Sequence, residues 1–155
     1  MRSFCRFWRT SVYRLLIAED EPLEREGLLE AVQRLCPDIE EARTAENGRE
    51  ALVTAESFDP DICILDIKMP GIDGIEAARQ IRERREERQV IFLTAFDEFE
   101  FAREALRLGA SEFLVKPAED EEVAAAVAKA VARLRELEAE GESRQKLSRA
   151  VEILT

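Results

Sequence analysis

The sequence has 155 residues, of which 46% are hydrophobic and 37% charged, and its formal net charge is -11. These values favour one globular domain with a charge-rich surface, and they argue against nonspecific binding of the whole chain to nucleic acid or acidic membranes. The chain has no histidine, which excludes Ser-His-Asp and Cys-His catalysis, histidine-ligated metals and a phosphohistidine on this chain.

Residues 1–11 alternate arginine with aromatic residues and contain no acid. They lack the apolar core of a signal peptide, so we predict a disordered or non-native extension, with a membrane- or partner-binding peptide as the alternative. Cys5, Cys36 and Cys63 form no CxxC pair. Neither a zinc site nor a disulfide framework is predicted, and no apolar run approaches the ~18 residues of a membrane span. Free cysteines suit the cytoplasm.

A first strand is predicted for residues 12–18, and it runs directly into Glu19, Asp20 and Glu21. Three acids at the end of a strand repel one another unless a cation sits among them. Pro22 suits the opening turn of a helix. A second, more polar strand over residues 39–45 is predicted at an edge of the sheet, and a short helix follows it.

The central feature is the apolar run Ile62–Leu65, which ends in Asp66. This run is β-branched and too short for a helix, so it predicts a buried strand with a carboxylate at its end. A third helix follows, and the mixed charges of residues 82–88 predict a solvated helix end.

A fourth strand over residues 90–94 ends in Thr94, and a short fifth strand over residues 112–115 ends in Lys116. Apolar spacing predicts a fourth helix between them, marked by Phe99, Ala102 and Leu106. A last helix begins near Glu119 with four acids in its first turn, which is favourable at the positive end of a helix.

Strands that alternate with helices predict a parallel sheet with helices on both faces. If the first, third, fourth and fifth strands are neighbours, then Glu19, Asp20, Asp66, Thr94 and Lys116 converge on one pocket. Carboxylates can hold Mg²⁺, a carboxylate can accept a phosphoryl group, and a lysine can neutralise that group. Individually, the acids could cap a helix, Thr94 could be an ordinary end of a strand and Lys116 a surface lysine. Their joint placement at one edge of the sheet favours a functional site over these separate explanations.

Three stretches occur in a characteristic order, namely LLIAEDEPLEREGL, ICILDIKMPGIDGIEAARQIR and VIFLTAFDEFEFAREALRLGASEFLVKP. On these motifs the chain resembles the receiver domain of bacterial two-component response regulators over about residues 13–137. The run from Thr94 to Phe99 is most similar to regulators with an AraC-type helix-turn-helix output domain. The resemblance implies a doubly wound, flavodoxin-like fold with strand order 2-1-3-4-5 and an extended C-terminal helix. It also implies a phosphoacceptor that controls transcription, with at most self-catalysed phosphorylation and dephosphorylation.

By position, the resemblance implies that Asp66 accepts a phosphoryl group from a phosphohistidine on a sensor histidine kinase. Asp20 and Asp66 are expected to bind Mg²⁺, or Mn²⁺ in its place. Glu19 is expected to support the ion through water, and the backbone carbonyl of Lys68 to complete the site. Glu19 stands where aspartate is commoner.

The resemblance also assigns a group that binds the phosphoryl oxygens and switches conformation. This group consists of Thr94, Ala95, Phe113 and Lys116, and the peptide bond from Lys116 to Pro117 is expected to be cis. Phe113 replaces a frequent tyrosine and has no hydroxyl, so its role as a reporter must be steric.

In the last helix, apolar residues repeat at alternating spacings of four and three, namely Val123, Val127, Ala130, Leu134 and Leu137. We expect the helix to pack on its own sheet to about residue 131 and to meet a partner helix beyond it. Gly141 interrupts this seam, and Leu147, Val151 and Leu154 resume it in a shifted phase.

We predict a receiver domain over residues 12–137 and a linker or helical extension over residues 138–155. A homodimer is expected through the face of the fourth helix, fifth strand and fifth helix and through the C-terminal helix. Nine acids against six bases from Ala118 to Thr155 make no DNA-binding patch. Both a stand-alone receiver and a fragment that precedes an output domain stay open.

Three other interpretations compete with this one. An aspartate-nucleophile phosphatase needs a second acid two residues after the nucleophile, where Lys68 stands. A nucleotide or flavin binder needs a glycine-rich loop after the first strand, where acids and Pro22 stand. A degenerate receiver that acts only by binding proteins is disfavoured by the intact acids, Thr94 and Lys116.

Overall fold

A computed structural model describes residues 12–95, 100, 107, 109–110 and 112–154. The described strands are β1 (Tyr13–Ala18), β2 (Ile39–Ala45), β3 (Ile62–Asp66), β4 (Gln89–Thr94) and β5 (Glu112–Val115). The described helices are α1 (Pro22–Leu35), α2 (Gly48–Phe58), α3 (Gly74–Arg84) and a C-terminal helix (Asp120–Leu154). The extension predicted for residues 1–11 and the helix predicted around Phe99, Ala102 and Leu106 lie outside the described residues.

The strands form one five-stranded parallel sheet in the order β2-β1-β3-β4-β5, which confirms the predicted topology. β2 lies at an edge, as its polar sequence indicated. The register pairs Ala18 with Leu65 and Thr94 with Val115. The carboxyl ends of β1, β3, β4 and β5 therefore lie side by side, and in a parallel sheet this edge is where sites form.

Both faces of the sheet are covered by helices, as predicted. One face packs against α1 and the C-terminal helix, and the other packs against α2 and α3. β3 is buried at every position, because it lies between two such layers. Each of its isoleucines, Ile62 and Ile64, is fully buried and contributes about 1.5–3 kcal/mol to stability. Cys63 between them is a buried core residue.

A cluster of charges closes the opposite end of the sheet from the carboxyl edge. Arg85 donates to Asp59 at 2.6 Å and to the fully buried Asp61 at 3.1 Å. Arg88 donates to the same Asp59 oxygen at 2.7 Å and is itself 5% exposed. The prediction of a solvated helix end over residues 82–88 is therefore wrong for Arg85 and Arg88, since their partners come from the segment before β3.

The C-terminal helix is continuous for 35 residues and runs through Gly141, so only the apolar pattern is interrupted there. Its packing on the sheet extends beyond residue 131 to the buried Leu134. The hydroxyl of Tyr13 donates to Glu138 at 3.2 Å, just beyond that point. Residues 139–154 are all exposed. Within the described part of the chain, no helix is both long and apolar enough to cross a membrane.

Candidate functional site

Asp66 ends β3 at the carboxyl edge of the sheet and is 3% exposed. Its Oδ2 accepts a hydrogen bond from Lys116 Nζ at 2.9 Å. The same ammonium lies 3.1 and 3.3 Å from the two carboxylate oxygens of Glu19, which follows β1. Lys116 is held in place by its backbone N–H, which donates to the Thr94 carbonyl at 2.9 Å. The structure thus brings together side chains that the sequence placed at the ends of β1, β3 and β5.

Three acids gather at this point. Glu19, Asp20 and Asp66 each offer a carboxylate oxygen, and these oxygens lie within 4.8 Å of one another. Glu19 is fully buried, whereas Asp20 is exposed. Like charges this close repel, and hard oxygen donors are the ligands that Mg²⁺ prefers. The residues present therefore fit a divalent cation.

The electrostatics of the site follow from burial and proximity. Burial, together with the neighbouring Asp66, raises the pKa of Glu19 to about 9. Burial lowers the pKa of Lys116, but hydrogen bonds to Asp66, Glu24 and Glu19 outweigh it and hold that pKa above its ordinary value. The lysine is therefore cationic throughout the neutral range. A divalent cation among the carboxylates would favour their ionised forms.

Two residues of the site were missed by the sequence analysis. Glu24, in the first turn of α1, lies 3.0 Å from Lys116 Nζ. Arg25 donates to the backbone carbonyls of Glu19 at 2.9 Å and Asp20 at 3.4 Å, so it ties α1 to the acidic loop. The only sequence signal was an acid and a base early in a helix, which is also what an ordinary solvated helix shows.

The loop from β3 to α3 is held close to Asp66. A Cβ atom at Gly74 would overlap the Asp66 carbonyl oxygen, so only glycine lets the helix start this near the strand. The Gly74 N–H donates to the Ile67 carbonyl at 2.8 Å, and Asp73 caps α3 through the Glu76 N–H. Lys68 lies in this loop with its side chain exposed; the role of its carbonyl stays a prediction.

The predicted switch residues occupy β4, β5 and the turns that follow them. Thr94 ends β4 and is 5% exposed, and its hydroxyl donates to the Ala95 carbonyl at 3.1 Å. Phe113 stacks on Phe92, with 6.1 Å between ring centroids. Phe113 is only partly buried. The Lys116–Pro117 peptide bond is cis.

Residues 15–128 match the family model of the response regulator receiver domain. The chain belongs to this family. The matched range contains every residue of the site described above, from Glu19 to Lys116.

The chain is similar to known proteins in sequence and in fold. The Positive alginate biosynthesis regulatory protein of Pseudomonas aeruginosa is 46% identical over 116 residues, which are 75% of this chain and 46% of that protein. The REC domain of AraT, a response regulator from Geobacillus stearothermophilus, is 34% identical with a TM-score of 0.73, covering 84% of this chain and 98% of that one. The chain spans about half the length of the curated relatives it matches.

A further solved structure is similar to this chain in fold. The two component transcriptional regulator AraC from Clostridium phytofermentans is 26% identical with a TM-score of 0.74, covering 81% of this receiver chain and 98% of that one.

Proposed function

We propose that this receiver domain accepts a phosphoryl group on Asp66 from a phosphohistidine of a sensor histidine kinase. The observation that carries the proposal is the Lys116 ammonium, which lies 2.9 Å from Asp66 and 3.1 Å from Glu19 at the carboxyl edge of the sheet. Phosphoryl transfer to a carboxylate needs such a buried carboxylate with a fixed cation next to it, and Asp66 also belongs to a cluster of three acids that fits a divalent cation.

In the proposed reaction, an Asp66 carboxylate oxygen attacks the phosphorus atom of the phosphohistidine. A P–O bond forms, the P–N bond breaks, and the imidazole nitrogen leaves with the electron pair. Lys116 then pairs with an oxygen of the transferred group, and this charge pairing offsets the repulsion from Glu19 and Asp20.

Glu19, Asp20 and Asp66 would hold Mg²⁺, or Mn²⁺ in its place, together with the backbone carbonyl of Lys68. When bound, the ion supplies neutralising charge for the phosphoryl oxygens. Three carboxylate oxygens within 4.8 Å of one another support this assignment. Glu19 is buried and paired with Lys116, so we assign it a supporting contact rather than the main one.

We propose that phosphorylation of Asp66 changes the shape of a surface through which the chain binds its partners. Thr94 and Ala95 would contact the phosphoryl group, and movement of Thr94 would let Phe113 turn inward. The contact of Phe113 with Phe92 supports this route, because a ring that already stacks on the core needs only a short motion to bury itself further. The surface formed by β5, the C-terminal helix and the fourth helix predicted from the sequence would then change its contacts, and we propose that a homodimer forms through this surface.

We propose that residues 12–137 form the receiver domain and that residues 138–155 are a linker or helical extension. Transcriptional control would follow through an AraC-type output domain, which the name of the Clostridium phytofermentans neighbour supports. DNA binding is assigned to that output and not to this chain, whose net charge is -11. Because such a regulator binds DNA, we propose that the protein is located in the cytoplasm.

Labelling with acetyl phosphate and Mg²⁺, followed by intact-mass measurement, tests the assignment of Asp66. We expect the parent to gain one phosphoryl group and Asp66→Asn to gain none. Asp73→Asn is the matched control, since it makes the same change in the same loop while an asparagine can still cap α3. Equal labelling of Asp66→Asn and the parent would show that another residue is the acceptor.

A further inference from the structure

Lys116 has three carboxylate partners, and one of them differs from the others. Its ammonium lies 2.9 Å from Asp66, 3.1 Å from Glu19 and 3.0 Å from Glu24. The side chain of Glu19 is fully buried and that of Asp66 is 4% exposed, whereas that of Glu24 is 49% exposed. Glu24 is thus the outer partner of the lysine, and its carboxyl group also lies against that of Glu19, whose pKa it helps to raise.

The elements explain this difference. Glu19 and Asp66 follow β1 and β3, whose positions the sheet fixes. Glu24 instead stands on the first turn of α1 and reaches Lys116 across the gap between that helix and the loop after β5. The pair therefore joins a helix surface to the lysine that phosphorylation needs.

We propose that Glu24 restrains Lys116 in the unphosphorylated chain and competes with the phosphoryl group for its ammonium, so that it limits the formation and lifetime of phospho-Asp66. This inference rests on the proposed function of Asp66 and Lys116. An incoming phosphoryl group carries nearly two negative charges. The phosphoryl group must either displace Glu24 from the lysine or lie close to a third carboxylate. The first breaks an ion pair and the second brings like charges together, so both are unfavourable.

The expected size is that of a half-exposed ion pair. Such pairs change an equilibrium constant by about two- to fivefold, because solvent screens the charges and side-chain entropy opposes the contact. We therefore expect Glu24 to change the formation and lifetime of phospho-Asp66 by this small factor, and we do not expect Glu24 to be required for phosphorylation.

The test compares Glu24→Gln with Glu26→Gln, which removes the same charge from an exposed position on the same helix. The first measurement is the dissociation constant of beryllofluoride with Mg²⁺ by calorimetry. The second is the half-life of the aspartyl phosphate after acetyl phosphate is removed. We expect Glu24→Gln to bind beryllofluoride about two- to fivefold more tightly and to hold the phosphoryl group correspondingly longer. Glu26→Gln should match the parent in both.

A spectroscopic measurement isolates the contact itself. The Lys116 ammonium resonance, assigned by its loss in Lys116→Arg, should shift in Glu24→Gln and stay in place in Glu26→Gln, before any phosphoryl group is added. A parent that binds no beryllofluoride and takes no label would refute the function of the site. A parent that does both, with Glu24→Gln equal to Glu26→Gln or weaker than it, would refute the role of Glu24 alone.

Discussion

Glu19 and Asp20 are adjacent in sequence, yet the first is buried and paired with Lys116 while the second is exposed. An exposed carboxylate beside two buried ones can be reached by a hydrated ion, and its charge stays unfavourable until an ion arrives. Asp20 is thus the acid whose removal should most directly report on metal binding.

We predict that Mg²⁺ stabilises the fold through Asp20. With Mg²⁺ at about tenfold its dissociation constant, linkage gives about 1.4 kcal/mol, or a rise in Tm of about 3–6 °C for a domain of this size. Thermal unfolding should show this rise in the parent and in Glu21→Gln, an exposed neighbour, but not in Asp20→Asn. Sodium chloride at equal ionic strength separates site binding from screening. An equal rise in Asp20→Asn would count against the metal site.

For single residues, the sequence predicted which side chains at the ends of strands belong to the site. It did not predict the site residues that lie on a helix. Asp66 and Lys116 are brought together by strand order alone. Glu24 contacts Lys116 because α1 packs against the same face of the sheet as the C-terminal helix. That packing depends on residues distant in sequence, so no local pattern around Glu24 distinguishes it from a solvated acid.

Among the elements, the junction of α2, β3 and α3 shows how tertiary structure changes the environment of a charged run. Asp59 is the C-cap residue after α2, and its φ of 52° is left-handed, a conformation that aspartate and asparagine tolerate. The carboxylate then meets Arg85 and Arg88 from beyond α3. Mixed charge at a helix end usually indicates solvent, and the sequence alone did not show that Asp59 and Asp61 lie beside this end.

We predict that this cluster contributes stability that acid removes. Burial raises the pKa of Asp59, but the hydrogen bonds from Arg85 and Arg88 lower it by more. The net change is from 3.8 to about 2. Because the folded pKa lies below the unfolded one, the contribution is complete above pH 3.8 and is lost as the pH falls to about 2. The side chain is 41% exposed, so screening leaves about 1 kcal/mol.

Urea unfolding of the parent and Asp59→Asn over a range of pH measures this contribution, since asparagine keeps the left-handed cap without the charge. The parent should be more stable by about 1 kcal/mol at neutral pH, and the difference should vanish toward the acid end. Glu56→Gln, an exposed change on α2, is the control. A difference that stays constant with pH would show that shape, not charge, is responsible.

For the whole molecule, the fold could be predicted because each strand pattern is strong and local. How far along the chain the C-terminal helix packs on the sheet could not be predicted. Val127 and Leu134 pack on the sheet, and Glu138 still meets the Tyr13 hydroxyl. Beyond it, Leu147, Val151 and Leu154 are 67%, 52% and 85% exposed. Their spacing of four and three places these exposed side chains on one face of the helix.

We predict that this face is buried between two copies of the chain and that activation promotes the contact. Sedimentation with beryllofluoride and Mg²⁺ should show more dimer than without them, and Thr94→Ala should lose that difference because it lacks the hydroxyl that would follow the phosphoryl group. The double variant Leu147→Ser/Val151→Ser should weaken association at least about tenfold in both states, since each lost side chain contributes about 1.5–3 kcal/mol when buried. Val53→Ser removes an equally exposed apolar residue from α2 and should leave association unchanged. Parent sedimentation that does not respond to beryllofluoride would refute the switch, whereas a double variant that associates like Val53→Ser would move the interface away from the C-terminal helix.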